Sequence, residues 1–329
     1  MRSKVDADCG GSELVLAVDL GGTHLRAGVV SENGSVCHRF KQPTPHGHQP
    51  EEIVAAIVAA SRECKTIAGR SLSFSSLSVA IPGTINIETG AVVCAPNISG
   101  LDNFPLATAL TRELGCPVFL ENDANAAAVG EMWQGAARGY RTIVCLTLGT
   151  GVGGGIILDG KLWRGTDGSA AEIGHMSVNP FGGIKCTCGS HDCLEVYASA
   201  TAIVRLTRER LPQFPESMLH LNQTLTSEQV YDAGLEGDKL ALEVFRTMGV
   251  YLGAGIATLI NVINPEIIII GGGAANGWDL FEEHMCHEVR NRSFPLPAAQ
   301  VKIVPAECGD DAGLLGAARL AFARQLSSI

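Results

Sequence analysis

The chain has 329 residues, 46% of them hydrophobic and 18% charged, with a formal net charge of −10. This is a globular composition with enough apolar surface for large cores, and the length predicts two domains and argues against a disordered chain. No Lys/Arg cluster stands against the acidic balance, so the basic stripe that a nucleic-acid binder needs to neutralise phosphates is missing.

Eleven cysteines, an odd number, in a chain opening on the polar MRSKVDADCGGSE predict a reducing, cytoplasmic setting without a disulfide framework. Cys9 and Cys37, like the others without metal-ligand spacing, read as ordinary reduced residues. Leu14 to Val18 is a short apolar run ending in Asp19; Gly21, Gly22 and Thr23 follow, then a second β-type run through Val30. The pattern predicts a strand, a glycine turn and a returning strand. Glu51 to Ala68 has helical spacing of its apolar residues. Leu77 to Ile81 and Pro117 to Leu120 are strands separated by a loop, Pro82 to Pro105, and His46 and His48 in an earlier proline-rich loop read as solvent-facing.

Leu120 to Glu131, LENDANAAAVGE, places Asn122 and Asp123 where a strand meets an alanine-rich helix. An Asn or Asp there is an N-cap on local hydrogen-bonding grounds alone; a carboxylate held ionised by the helix dipole is also a weak base suited to phosphoryl transfer. Both readings can hold together. Ile143 to Leu148 then runs through Thr147 into Gly149, Thr150 and Gly151, repeating strand, glycine turn, strand, and the repeat predicts a duplicated α/β unit. Two such turns would offer backbone N–H groups to a polyphosphate, and Asp19 would hold Mg²⁺ directly or through water. The sequence has neither GxxxxGK[ST] nor a GxGxxG opening a helix after a strand, which excludes a Walker loop and a Rossmann fingerprint.

The stretch EIGHMSVNPFGGIKCTCGSHDCLE, Glu172 to Glu195, carries His175, Cys186, Cys188 and Cys193. Three thiols and an imidazole form a closed tetrahedral set of the structural zinc type; the alternative is a reduced CxC with an unrelated histidine nearby. Glu172 and Glu195 flank it, either supporting that shell, facing solvent, or accepting from the donors of a neutral sugar. Tyr197 to Arg210 and Ser227 to Ile263 read as largely helical. Thr247 to Pro265 lacks charge, yet its glycines and asparagines predict a buried, closely packed helix in place of a membrane span. Glu266 to Ile270 is a buried strand ended by Gly271, Gly272 and Gly273. Val301 to Val304 is the last strand, and a helix with one apolar face closes the chain.

DLGGTHLRAG at 19 to 28, IPGTINIETG at 81 to 90, ENDANAAAVGE at 121 to 131, LTLGTGVGGGI at 146 to 156, and the EIGH and CxCGxxxCLE pieces together resemble the ROK family, in particular its bacterial members that phosphorylate glucose. The resemblance covers nearly everything from Leu14 onward. It implies an α/β fold of two actin-like, ribonuclease-H-like domains with a cleft between them, of the hexokinase/actin ATPase type. The first domain would be 1–120, completed by the helix 311–329, and the second 121–310. MgATP and glucose or a related hexose would be substrates, the zinc structural, and the protein a homo-oligomer. By the same resemblance Asp123 is the general base on the sugar 6-hydroxyl. Asn122, Glu172, His175 and Glu195 hold other hydroxyls, Gly83 approaches the sugar through its backbone and Asn97 lines the pocket. Asp19 to Thr23 and Thr147 to Gly154 hold phosphates, and Gly271 to Gly273 lie by the adenosine. His175 takes two roles, one ring nitrogen on zinc and one toward the sugar. Asp192, where many members have glycine, departs from the pattern and is expected to alter the loop turn.

Kinases of N-acetylmannosamine or N-acetylglucosamine share these features, and an actin-like ATPase without a sugar would not need Glu172 or Glu195. A sugar-responsive repressor of the same family carries a helix-turn-helix domain, and thirteen residues precede the first strand here.

Overall fold

The computed structural model describes residues 13–45, 49–67, 70–71, 74–221 and 224–326; His46, His48 and Cys9 lie outside them. Two five-stranded sheets share one strand order. In the first, β1 (Leu14–Leu20), β2 (His24–Ser31), β3 (Val36–Pro43), β4 (Leu77–Ile81) and β5 (Val118–Asn122) run 3-2-1-4-5. In the second, β6 (Ile143–Leu148), β7 (Val152–Leu158), β8 (Lys161–Leu162), β9 (Ile267–Gly271) and β10 (Lys302–Pro305) run 8-7-6-9-10, the same order one repeat later. The first hairpin of each sheet is the glycine turn, and the strands beyond it join in parallel.

Burial on both faces explains the apolar runs. Leu16, Val18 and Leu20 of β1 face one core with α1 (Pro50–Lys65) and α2 (Leu106–Leu114). Val15 and Ala17 face a second, with α8 (Ala312–Leu326). Alternate side chains of one strand thus feed opposite layers, and neither face is left for water. β4 and β9 are buried at every position for the same reason.

Two compact units result: residues 1–139, 155–170 and 307–329, and residues 140–154 and 171–306. The expected boundary at Leu120 moves to Gly139 because α3 (Asp123–Gln134) packs along α8. Small residues permit it: a Cβ at Gly316 would lie 1.6 Å from the Ala126 carbonyl oxygen. The division also runs through β7, sending 155–170 back to the first unit.

The long helical stretches break where side chains cap a new start. Ser199 accepts from Ala202 N and separates a short helix, Glu195–Ala198, from α4 (Ala200–Arg210). Thr226 and Gln229 form a capping box at α5 (Ser227–Leu235), and Asp238 accepts from Leu240 N and Ala241 N at the start of α6 (Lys239–Ile263). Among the described residues α6 alone is long and apolar enough to cross a membrane. It is instead a core helix packed along α7 (Trp278–Arg292), with Met248, Leu252 and Ile256 fully buried. Cys37 corrects the all-reduced expectation: it is disulfide-bonded, while the other nine described cysteines are free.

Candidate active site

In the first unit the carboxyl ends of three parallel strands gather the expected residues, the edge where open α/β sheets bind ligands. Register aligns Asp19 of β1 with Ala80 of β4, and Ile81 of β4 with Asn122 of β5. The turn after Asp19 is closed by Gly21 N donating to His24 O at 2.9 Å and by Thr44 Oγ1 donating to Gly21 O at 2.6 Å. Gly22 packs on Asn97. Asn122 is the N-cap of α3: its Oδ1 accepts from Asn125 N at 3.0 Å, and its Nδ2 donates to Gly83 O at 3.1 Å. Gly83 sits at φ +127° with its Cα against the Cys94 carbonyl, where a Cβ would stand 2.1 Å from that oxygen. Only glycine fits, and its carbonyl is thereby aimed at Asn122. Asp123 is the first residue of α3, its Oδ1 accepting from Ala124 N at 2.9 Å.

Asp19 is electrostatically unusual. Burial first, then the nearby charge of Asp123, raise its pKa from 3.8 to about 7; Arg26 opposes them, and Asp310 adds a smaller push upward. Arg26 lies 3.6 Å from Asp19 and 3.1 Å from Asp310. Neither Arg26 nor Asp310 stands out in the sequence, since Asp310 arrives from the far end of the chain through the α8 packing. A carboxylate whose charge is disfavoured first by burial and then by a neighbouring carboxylate is a place where a divalent cation would be welcome.

In the second unit β6 and β9 bring the other two glycine turns together, Thr147 standing opposite Gly271. Gly149 N donates to Gly151 O at 2.9 Å, and the turn is tied to the start of α4 by Ala200 N donating to Gly149 O and Thr201 Oγ1 to Thr150 O, both 2.8 Å. Gly272 has φ +87°, and a Cβ there would meet the Leu148 carbonyl oxygen at 2.5 Å. A pocket of about 440 Å³ opens beside this turn, lined by Thr150, Ala200, Thr201, Val204, Arg205 and Ser227 among others.

His175, Cys186, Cys188 and Cys193 place one donor atom each within 4.8 Å of one another. Cys186 Sγ is 3.7 Å from His175 Nδ1, and Cys188 Sγ is 3.7 Å from Cys193 Sγ. A tetrahedral zinc with bonds of about 2.3 Å to sulfur sets sulfur-to-sulfur edges of roughly 3.8 Å, so the set fits that ion. The thiols also titrate apart without a cation. The Ser190 N–H lowers Cys188, whereas burial pushes Cys193 up to about 12, with its sulfur neighbours adding to the rise. The other ring nitrogen of His175, Nε2, lies 4.0 Å from Glu172 Oε2. Glu195 reaches the second glycine turn, its Oε2 accepting from Val152 N at 3.0 Å. Asp192, at φ +54° and fully buried, accepts from Ile184 N at 3.0 Å and from the Tyr197 hydroxyl. It holds the loop from inside, in a left-handed conformation that glycine would adopt more cheaply.

The two sheets of equal order and their glycine turns define an α/β protein of the actin-like ATPase class. The chain belongs to the ROK family, which it matches over residues 15–324. It is 37% identical over 308 residues to a glucokinase of Halalkalibacterium halodurans, covering 92% of each chain. A ROK family glucokinase from Streptomyces griseus, solved with glucose and AMPPNP, superposes with a TM-score of 0.81 at 37% identity over 93% of this chain and 98% of that one. The Escherichia coli DNA-binding transcriptional repressor Mlc is 33% identical over 243 residues, 74% of this chain and 59% of the repressor.

Proposed function

We propose that the chain is an ATP-dependent hexose kinase that phosphorylates glucose at its 6-hydroxyl, with Asp123 as the general base. The observation that carries the reading is the corner at the carboxyl end of β5. There Asp123 opens α3, Asn122 is fixed by Gly83 O and Asn125 N, and Asp19 lies close enough for its titration to respond to Asp123. In the step, the sugar oxygen forms a bond to the γ-phosphorus, the bond to the ADP leaving group breaks, and the hydroxyl proton passes to the Asp123 carboxylate. A loose transition state needs only a weak base, and the α3 dipole suits one that stays ionised. Mg²⁺ carried in with ATP would supply charge neutralisation on the phosphates, with Asp19 as its protein anchor.

Gly21, Gly22 and Thr23, and Thr147, Gly149, Thr150 and Gly151, would hold phosphate oxygens by backbone and hydroxyl donors, and Gly271 to Gly273 would flank the adenosine. By the family resemblance, Asn122, Gly83, Asn97, Glu172, His175 and Glu195 would take the sugar hydroxyls. His175, Cys186, Cys188 and Cys193 would hold a structural zinc; with Nδ1 committed to it, His175 keeps a proton on Nε2 to donate to the sugar. The similarity to glucokinases supports glucose over N-acetylmannosamine and N-acetylglucosamine.

The test is a panel of hexoses with MgATP scored by kcat/KM. Glucose is expected to lead. A higher kcat/KM for an N-acetylhexosamine would change the substrate and keep the enzyme class; sugar binding without turnover on any hexose would favour a sensor of the repressor type.

A further inference from the structure

Glu121 stands two residues ahead of Asp123 and is 2% exposed, a position that carboxylates occupy only when paired. Both its oxygens are committed. Oε1 accepts from Asn122 N and from Asn125 Nδ2, each at 3.1 Å. Oε2 accepts from Arg164 Nε at 2.8 Å and Arg164 Nη2 at 2.7 Å. Asn125, itself buried, is the residue whose N–H Asn122 caps, so one carboxylate grips the last peptide of β5 and the first turn of α3 at once. Arg164 comes from the segment after β8, and its carbonyl accepts from Ala170 N at 3.2 Å, which closes a short loop around it.

Glu121 is buried and the Arg164 side chain is 28% exposed, and such a half-buried ion pair is seldom worth more to stability than apolar residues of the same shape, so folding alone is a weak reason to place one here. What such a pair does well is fix direction, because two guanidinium N–H groups converging on one oxygen leave the carboxylate a single orientation. Arg324, whose guanidinium stacks 5.1 Å from the Phe119 ring, is a second cation that the pair feels; burial and then the Arg164 charge hold it below its ordinary pKa.

We infer that Arg164 and Glu121 are positioning residues for phosphoryl transfer: the pair sets the angle at which the chain leaves β5 and so aims Asn122 and Asp123. The inference rests on the reading of Asp123 as the base. A catalytic group displaced by about 1 Å can lose roughly 10²-fold in rate, so the effect falls on turnover more than on nucleotide binding.

The experiment measures kcat, both KM values and thermal stability of the full chain for Arg164→Lys, Arg164→Ala and the double variant Glu121→Gln/Arg164→Met. Lysine keeps the charge and loses the planar pair of donors. Arg164→Lys is expected to lower kcat about 10- to 100-fold with KM for ATP within about twofold, and guanidinium ion added to Arg164→Ala is expected to restore part of the lost kcat. The double variant removes both charges, so its stability should recover toward wild type while kcat stays low. A wild-type kcat in Arg164→Lys, or a kcat that returns with stability in the double variant, would make the pair purely structural and overturn the inference. Asp123→Asn separates the two claims: if it abolishes turnover while Arg164→Lys does not, positioning alone fails, and if it turns over normally, the base reading fails on its own.

Discussion

The turn after Asp19 and the turn after Thr147 occupy the same place in two sheets of the same strand order, yet they differ in what surrounds them. The first begins at a carboxylate raised to about 7 among Asp123, Arg26 and Asp310. The second begins at a threonine, and its backbone is tied to α4 and to Glu195 from the cysteine loop. One strand order thus appears twice, and the surroundings of the two turns differ through the segments at the strand ends. On the proposed reading, the first unit would move a proton and neutralise phosphate, and the second would hold a loop beside donors.

If that contrast is right, the largest effect on rate comes from the first unit. Asp123→Asn keeps the shape of the helix start and cannot accept the hydroxyl proton. Turnover should fall about 10²- to 10⁴-fold while the dissociation constant for glucose, read by calorimetry, stays within a few-fold. Near-normal kcat would reduce Asp123 to a helix-terminal residue.

Asp19 sharpens the comparison through pH. Its native pKa of about 7 exceeds the ordinary 3.8, so between those values the folded protein retains a proton that the unfolded chain has lost. Stability from this group is full below about pH 4 and declines as pH rises to about 7, by up to roughly 4 kcal/mol. Asp19→Asn cannot titrate. Denaturant titrations without nucleotide or Mg²⁺ should therefore show the variant gaining on wild type from pH 4 to pH 8. A pH-independent difference would mean that Asp19 is not held near neutrality. The equivalent position in the second unit, Thr147, contributes no such slope.

How much of this was legible in the sequence depended on how local the cause was. Leu77–Ile81 and Ile143–Leu148 read correctly because a strand covered on both faces is apolar throughout and is bounded by turn residues. The clustering of His175, Cys186, Cys188 and Cys193 was legible because the four lie close together in the chain. The unit boundary was not, since the small surface of α3 does not name its partner, and α8 lies almost two hundred residues away. Arg164 carried no signal either: its partner Glu121 is 43 residues distant, and an arginine in a glycine-rich loop reads as solvent-facing. Helix breaks at Ser199 and Asp238 had cap chemistry to announce them but sat inside periodic runs that masked it.

Cys188→Ala tests the second unit. Loss of one thiolate should release the metal, and with it the orientation of His175, Glu172 and Glu195. KM for glucose should rise about 10- to 100-fold, while KM for ATP moves by less than threefold, because the second glycine turn loses only the Val152 N bond to Glu195 and keeps its bonds within the turn and to α4. Metal analysis on wild type and variant is the control. A folded, metal-free variant with unchanged glucose KM would detach the cysteine loop from the sugar.

The smallest effect expected is at Asp192, and it asks whether the loop is held by the cysteines alone. Asp192→Gly relieves the left-handed backbone, worth about 1 kcal/mol. It also removes the acceptor for Ile184 N and for the Tyr197 hydroxyl, two donors whose loss of a partner costs about 1–3 kcal/mol each, and leaves the Tyr197 side chain buried against Tyr251, whose ring stacks 3.7 Å away. The losses outweigh the gain, so the variant should unfold a few degrees lower with glucose KM nearly unchanged while the metal stays bound. Tyr197→Phe removes only the hydroxyl and leaves Asp192 with one donor fewer; it should account for part of the same loss without touching the backbone. If Asp192→Gly is instead more stable than wild type, the left-handed strain exceeds both hydrogen bonds, and the thiol and imidazole ligands suffice to shape the loop without an internal acceptor.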